Sequence, residues 1–151
     1  IAEKNKIDVA LTFSDPSMVK YFDSQMKDVV GASVDLLFCN EEEAMIYTGT
    51  NSVNEAREKL REVAKRFAIT LGANGALIFD GDTYINIEPY RAKANGAGDM
   101  FAGAFLYGIT HGYSFAEAGK LASLASSRVV SQFGPRLEPG HAKKVLADLT
   151  D

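Results

Sequence analysis

The chain has 151 residues, of which 46% are hydrophobic and 24% charged, a composition that predicts one globular domain and excludes disordered, collagen-like and low-complexity proteins. The net charge of −4 argues against a dedicated nucleic-acid-binding protein, and the absence of long apolar runs predicts no transmembrane helix. The single cysteine, Cys39, excludes an internal disulfide and a thiolate metal cluster. We therefore expect a cytoplasmic protein with no membrane or nucleic-acid partner.

The first half of the chain alternates short apolar runs with helical patterns. Residues 7–13 predict a buried strand, and Asp15 followed by Pro16 predicts the start of a single helix that ends at Gly31. The further predicted elements of this half are a strand at 36–39, helices at 41–47 and 53–66, and a strand at 67–71. The helix at 53–66 has an apolar face formed by Ala56, Leu60, Val63 and Phe67.

The second half begins with a predicted hairpin and continues as helices. Residues 76–79 and 83–87 are its strands, and 80–82 are its turn. A helix at 98–112 is apolar almost all round and should be buried, and a capping box of Ser114 and Glu117 opens another helix that runs to about Gln132. Residues 134–135 break that helix, and 141–149 predict a last one. Strands that alternate with helices predict an α/β fold with a doubly wound, mostly parallel sheet flanked by helices.

The strongest chemical signal is the segment 95–99, which reads Asn-Gly-Ala-Gly-Asp and opens the apolar helix. Small side chains allow a ligand to approach the backbone, and the free N–H groups at a helix N-terminus bind anions. The Asp99 carboxylate would stand beside that anion, where it could accept a proton from a hydroxyl. These parts are those of a phosphoryl-transfer site. From spacing alone, the alternative that Asp99 merely caps its helix stays open.

Three segments, in order, resemble motifs of the ribokinase-like (PfkB) carbohydrate kinases. Residues 95–103 resemble the second signature of that family, 40–43 its Asn-x-x-Glu motif, and 70–75 its Thr-x-Gly-x-x-Gly nucleotide loop. The segments 38–43 and 132–136 favour its adenosine-kinase-like branch. The resemblance implies a ribokinase-like fold and ATP-dependent phosphorylation of a hydroxymethyl group of a sugar. A nucleoside kinase and a non-catalytic nucleotide-binding module remain alternatives.

The resemblance also implies a role for each matched residue. Asp99 would be the catalytic base, and the backbone N–H groups of Gly96, Ala97 and Gly98 would form an anion hole. The residues implied to contact the nucleotide are Thr70, Gly72, Gly75 and Ser123, and those implied to act through water on Mg²⁺ are Asn40 and Glu43. On pattern alone, a solvated glutamate of a first helical turn is favoured for Glu43 and a plain turn is favoured for residues 72–75, whereas Ser123 could equally be a small helix-packing residue.

The chain departs from the family in two respects. Members are much longer, and their first half supplies sugar-binding residues and a small β lid that have no counterpart here. We therefore expect residues 1–151 to be the C-terminal nucleotide-binding and catalytic part, with the N-terminal half of the family missing. Because lid closure completes such sites, the chain alone should be inactive. An apolar face left exposed in this way would favour homo-oligomers.

The second departure is Lys93–Ala94, at the place where members usually have Asp-Thr before the signature. That aspartate helps to bind a monovalent cation, which a lysine ammonium would repel. Either the cation is absent from this protein, or a short stretch of the type Val-Asp-Thr is missing between Ala94 and Asn95. Our hypothesis is the missing stretch, because the residues on both sides resemble the family. The partners expected from the resemblance are ATP, Mg²⁺ and a small sugar or nucleoside.

Overall fold

The computed structural model describes residues 2–89, 97–129, 144, 145 and 147. Five strands form one sheet in chain order: β1 (Ala10–Thr12), β2 (Leu36–Asn40), β3 (Phe67–Thr70), β4 (Ala76–Phe79) and β5 (Tyr84–Ile87). The helices are α1 (Pro16–Tyr21), α2 (Asp23–Val30), α3 (Glu41–Thr48), α4 (Val53–Leu60), α5 (Ala97–Thr110) and α6 (Phe115–Val129). β1 is parallel to β2, and β2 is parallel to β3, so the predicted doubly wound α/β class is confirmed.

The chain divides into two compact units, Ile1–Thr70 with Phe79–Tyr84, and Leu71–Ile78 with Ile85–Asp151. The core of the first unit follows from its two central strands, which read as continuous apolar runs because parallel strands are covered on both faces. The side chains with no more than 1% exposure in this unit are Phe13, Val19, Leu37, Ala44, Ala56, Leu60, Ala64, Phe67, Ala68 and Ile69.

The prediction of a buried strand at 7–13 was wrong in length and in burial. β1 covers only three residues, none of them buried, while Ile7 and Val9 before it are exposed. Among the described strands, β1 is the first in the sheet order and pairs only with β2. An apolar run at the edge of a sheet lacks the second neighbour that would cover it.

The predicted single helix after Pro16 is divided into α1 and α2 at Phe22, whose ψ of 35° is not helical. Across that break the helical spacing no longer describes one face. Met26 and Val30 are buried, whereas the other large apolar residues of the predicted face are exposed, namely Met18, Tyr21, Phe22 and Val29. The first thirty residues therefore contain most of the exposed large apolar side chains in the described chain.

The predicted helix at 53–66 ends early, at Leu60. Ala64 forms a parallel bridge with Val34, and the Lys65 N–H donates to the Val34 carbonyl. The backbone must therefore be extended from Ala64 onward, and Phe67 belongs to β3 rather than to the helical face. Ala56 and Leu60 are fully buried as predicted.

Local helix and turn signals are confirmed. The Asp15 side chain accepts from the Ser17 N–H at 2.7 Å, with Pro16 in the first turn. Ser114 and Glu117 form the predicted capping box at the start of α6. In the turn between β4 and β5, Asp80 Oδ1 accepts from the N–H groups of residues 82 and 83. Each of these interactions joins residues only two or three positions apart.

In the second unit, α5 is buried along one face and not all round as predicted. Phe101, Phe105 and Gly108 face inward, whereas Gly103 and Tyr107 are exposed. α5 and α6 approach closely, because a Cβ at Gly108 would lie 2.9 Å from the Ala118 Cβ. None of the described helices has the length and apolar character to cross a bilayer. The predicted break at 134–135 lies outside the described residues, as does the helix at 141–149 apart from 144, 145 and 147.

Candidate phosphoryl-transfer site

Two predicted site residues end neighbouring strands of the sheet. Asn40 is the last residue of β2, Thr70 is the last residue of β3, and the two are register partners. In a parallel sheet the carboxyl ends of the strands share one edge, and this is the edge where open α/β sheets bind ligands. The fold therefore brings Asn40 and Thr70 together at this edge.

Asn40 and Glu43 form a reciprocal capping box at the start of α3. The Asn40 Oδ1 accepts from the Glu43 N–H at 2.8 Å, and the Glu43 Oε2 accepts from the Asn40 N–H at 2.9 Å. The Glu43 residue is 3% exposed, so the alternative of a solvated first-turn glutamate is wrong. The box holds an amide and a carboxylate immediately after β2.

The buried Glu43 carboxyl has a raised pKa. Burial is the main cause, and the Asp15 and Glu42 carboxylates raise the pKa further, while the hydrogen bond from the Asn40 backbone opposes the shift. The anionic form of Glu43 is therefore less favourable than that of a solvated glutamate. A nearby cation would relieve that cost, because opposite charge favours the ionised form.

The oxygen donors of Asn40 and Glu43 fit Mg²⁺, a hard cation that prefers carboxylate and carbonyl oxygens and keeps several of its waters. Within the described ranges, no group of three or more His, Cys, Asp and Glu residues could hold a metal. The water-mediated role of Asn40 and Glu43 stays a prediction.

The loop at 72–75 is a tight turn that requires glycine at its end. Gly72–Asn74 form one turn of 3₁₀ helix, and the Leu71 N–H donates to the Gly75 carbonyl at 2.8 Å. Gly75 has a φ of +85°, and a Cβ on it would overlap the Ile87 carbonyl oxygen. The turn is therefore more constrained than an ordinary surface turn, although its contact with a nucleotide stays a prediction.

Replacing Gly75 by alanine is expected to destabilise the protein by about 3 kcal/mol or more, because left-handed strain and overpacking add. Gly31→Ala is the matched control, since Gly31 has a similar backbone conformation (φ +62°, ψ −138°, against φ +85°, ψ −129° at Gly75) with nothing within 4 Å of the added Cβ. That control should cost only the backbone strain, about 1–3 kcal/mol, and less than Gly75→Ala. The measurement is urea unfolding of both variants, and equal losses would show that the Ile87 carbonyl does not restrict Gly75.

Asp99 is the third residue of α5 and is exposed. It therefore lies inside the first turn and not before it, where an N-cap residue stands. Ala97 and Gly98 are the first two helical residues, whose N–H groups have no partner within the helix. Gly96 lies outside the described residues, and so do Lys93 and the junction of Ala94 and Asn95.

Ser123 lies on α6 and is buried, and its hydroxyl donates to the Glu88 carbonyl at 3.2 Å. This contact agrees with a packing role, and the predicted contact with nucleotide is untested. The sequence reasoning missed Ser126, whose hydroxyl donates to the Ala97 carbonyl at 3.0 Å. The sequence feature that could have indicated Ser126 is its three-residue spacing from Ser123, which places both serines on one face of a helix.

Comparisons with known proteins agree with this fold and these motifs. Residues 1–140 match the family described as pfkB family carbohydrate kinase. The ribokinase of Lactococcus lactis is 36% identical over 94 residues, which are 57% of this chain and 31% of that protein.

Two solved structures resemble the chain over nearly all of its length. The adenosine kinase of Sinorhizobium meliloti has a TM-score of 0.89 and 30% identity, covering 97% of this chain and 46% of that one. The Arabidopsis thaliana ribokinase complexed with ribose and ATP has a TM-score of 0.75 and 25% identity, covering 98% of this chain and 49% of that one.

A mostly parallel α/β sheet with these three motifs in order is typical of the ribokinase-like carbohydrate kinase family. The chain belongs to the pfkB family of carbohydrate kinases. It spans about a third to a half of the length of the three relatives described above.

Proposed function

We propose that the chain is the C-terminal nucleotide-binding and catalytic part of a kinase that transfers the γ-phosphoryl group of ATP to a hydroxymethyl group of a sugar. The observation that carries the proposal is the start of α5, where an exposed Asp99 follows two small residues in the first helical turn. Free N–H groups and the positive end of the helix dipole favour a phosphoryl group there.

The reaction assigns one task to each part of this helix start. Asp99 accepts the proton of the sugar hydroxyl, the hydroxyl oxygen forms a bond to the γ-phosphorus, and the bond from that phosphorus to the bridging oxygen breaks to release ADP. The N–H groups of Ala97 and Gly98 stabilise the negative charge that develops on the phosphoryl oxygens. A bound Mg²⁺ would neutralise phosphate charge, with Asn40 and Glu43 orienting its waters.

The choice of ATP rests on the Arabidopsis ribokinase, which is complexed with ribose and ATP, and on the resemblance of residues 70–75 to the nucleotide loop of the family. Thr70 ends β3 at the ligand edge of the sheet, and Gly72 and Gly75 keep side chains away from the turn that follows. Backbone groups of this turn would then approach the phosphates closely.

We also propose that the natural polypeptide extends beyond these residues and covers the exposed apolar surface of the first unit. Six exposed large apolar side chains lie within residues 7–29: Ile7, Val9, Met18, Tyr21, Phe22 and Val29. Exposed apolar patches of this kind usually mark contacts with other protein segments. β1 lies within this range of the sequence and, among the described strands, pairs only with β2, so a further strand could add on its other side.

An acceptor screen tests the proposed function. The complete natural polypeptide and the 151-residue chain would each be given Mg·ATP with a panel of sugars and nucleosides, and ADP release and product mass would be measured. We expect turnover of a sugar by the complete polypeptide and none by the isolated chain. Tight Mg·ATP binding in calorimetry without turnover of any acceptor would instead identify a non-catalytic nucleotide-binding module.

A nucleoside kinase is the second candidate function. Its support is the similarity to the adenosine kinase of Sinorhizobium meliloti, the structure with the higher TM-score of the two compared above. A nucleoside also carries a hydroxymethyl group, so Asp99 would have the same task. Preference for nucleosides over free sugars in the screen would favour this candidate.

A further inference from the structure

The start of α5 is tied to α6 by a hydrogen bond between residues 29 positions apart. The Ser126 hydroxyl, on a buried residue of α6, donates to the Ala97 carbonyl at 3.0 Å. Ala97 is the first residue of α5 and lies two residues before Asp99. This contact therefore acts on the same helical turn that carries the proposed base.

α5 and α6 also meet at the opposite end of the pair. Gly108 of α5 lies against Ala118 of α6, at a separation that leaves no room for a Cβ. Between the two ends, Met100 and Ala104 pack against an apolar cluster formed by Leu121, Leu124, Ala125 and Val145. Apolar packing has no preferred direction and permits small shifts along the helix, whereas a hydrogen bond specifies distance and angle.

The same face of α6 also forms a hydrogen bond with the residue that follows β5. One turn before Ser126, the Ser123 hydroxyl donates to the carbonyl of Glu88, the residue that follows β5. α6 thus provides two buried hydroxyls, one for the residue after β5 and one for the first residue of α5. Each of them satisfies a carbonyl outside α6 itself.

We infer that Ser126 is a positioning residue, which places the Asp99 carboxylate and the N–H groups of Ala97 and Gly98 by anchoring the first turn of α5. The inference rests on the proposed role of Asp99 in phosphoryl transfer. A displacement of this turn by a fraction of an ångström would leave substrate binding nearly unchanged and would misalign the base with the hydroxyl. Ser126 acts through Ala97.

The test compares Ser126→Ala, Ser126→Thr and Ser127→Ala in the complete polypeptide. Ser127 is the matched control, because it is buried on the same helix and its hydroxyl donates to the Leu124 carbonyl at 2.8 Å. Ser126→Ala should lower kcat about tenfold with the KM for ATP changed less than about twofold. Ser126→Thr should recover most of kcat, and Ser127→Ala should keep it. Equal kcat losses in the two alanine variants would overturn the inference.

Amide hydrogen exchange supplies a readout that does not depend on activity. The Phe101 N–H pairs with the Ala97 carbonyl in an α-helix, so it should exchange several-fold faster in Ser126→Ala and at the wild-type rate in Ser127→Ala. If the wild-type polypeptide turned over no acceptor, the proposed function would fail, and this comparison would still decide whether Ser126 anchors α5. Unchanged exchange at Phe101, or normal turnover by Ser126→Ala, would overturn the inference.

Discussion

Replacing Asp99 by asparagine is expected to lower kcat of the complete polypeptide by about 10²–10⁴-fold, the range of general-base contributions. Asparagine has nearly the same shape and cannot accept a proton at neutral pH. Because Asp99 is exposed in the first turn of α5, the substitution should leave folding and Mg·ATP binding nearly unchanged. The measurements are steady-state kinetics with a saturating acceptor and calorimetric titration with Mg·ATP.

The control for this prediction is Asp82→Asn, which removes an exposed carboxylate from the turn between β4 and β5. It changes the net charge by the same amount and should keep kcat. Turnover of Asp99→Asn within about twofold of the wild type would exclude Asp99 as the base. A loss of Mg·ATP binding equal to the loss of kcat would instead give Asp99 a role in binding.

Glu43→Gln is expected to raise the Mg²⁺ concentration needed for half-maximal activity by about 10–100-fold, the usual effect of losing a group that orients a metal's ligands. Its amide oxygen can still accept the Asn40 N–H, so the capping box at the start of α3 should persist. The acceptor KM should change little. The measurement is a Mg²⁺ titration of activity at fixed ATP.

Two further variants separate charge from capping in this prediction. Glu42→Gln removes the neighbouring exposed carboxylate and should leave the Mg²⁺ requirement near the wild-type value, whereas Glu43→Ala removes both charge and cap. Glu43→Ala should therefore also lose about 1 kcal/mol of stability. An unchanged Mg²⁺ requirement in Glu43→Gln, with a raised acceptor KM, would contradict a role at the metal.

The raised pKa of Glu43 also predicts how the free energy of unfolding depends on pH in the absence of Mg²⁺, and how Glu43→Gln changes that dependence. Because burial raises this pKa above its ordinary value of 4.5, the folded state holds the proton more tightly than the unfolded state. The resulting stabilisation is complete below about pH 4.5 and is lost as the pH rises through the raised value. Glu43→Gln should remove this pH dependence, and in the absence of Mg²⁺ it should be no less stable than the wild type at neutral pH.

Much of the fold could be predicted from the sequence because its signals are local. Asp15 before Pro16 caps α1, Ser114 and Glu117 cap α6, and Gly49 ends α3 in a left-handed conformation. The apolar runs that became β2 and β3 predicted strands, and the alternation of strands with helices predicted a mostly parallel sheet. In the candidate site, the resemblance of residues 40–43 to the Asn-x-x-Glu motif implied that Asn40 and Glu43 act as a pair, and the capping box joins them.

Other features of the site and fold could not be predicted, because their partners lie far away in the sequence. The end of α4 at Leu60 depends on the pairing of Ala64 with Val34, and the exposure of Ile7 depends on the place of β1 in the sheet order. The burial that raises the pKa of Glu43 likewise comes from the folded surroundings of α3, and its charge pattern had favoured a solvated residue.

By itself, the sequence determined the fold class, which follows from apolar periodicity and caps within a few residues, and it showed the family through the resemblance of three short motifs. Only the tertiary structure decided which apolar faces are covered, that Gly75 cannot carry a side chain beside Ile87, and that Ser126 reaches Ala97. The physical reason is the sequence separation of the interacting residues. A cap joins neighbours along the chain, whereas burial, close approach and the contact of two helices arise only when distant segments pack together.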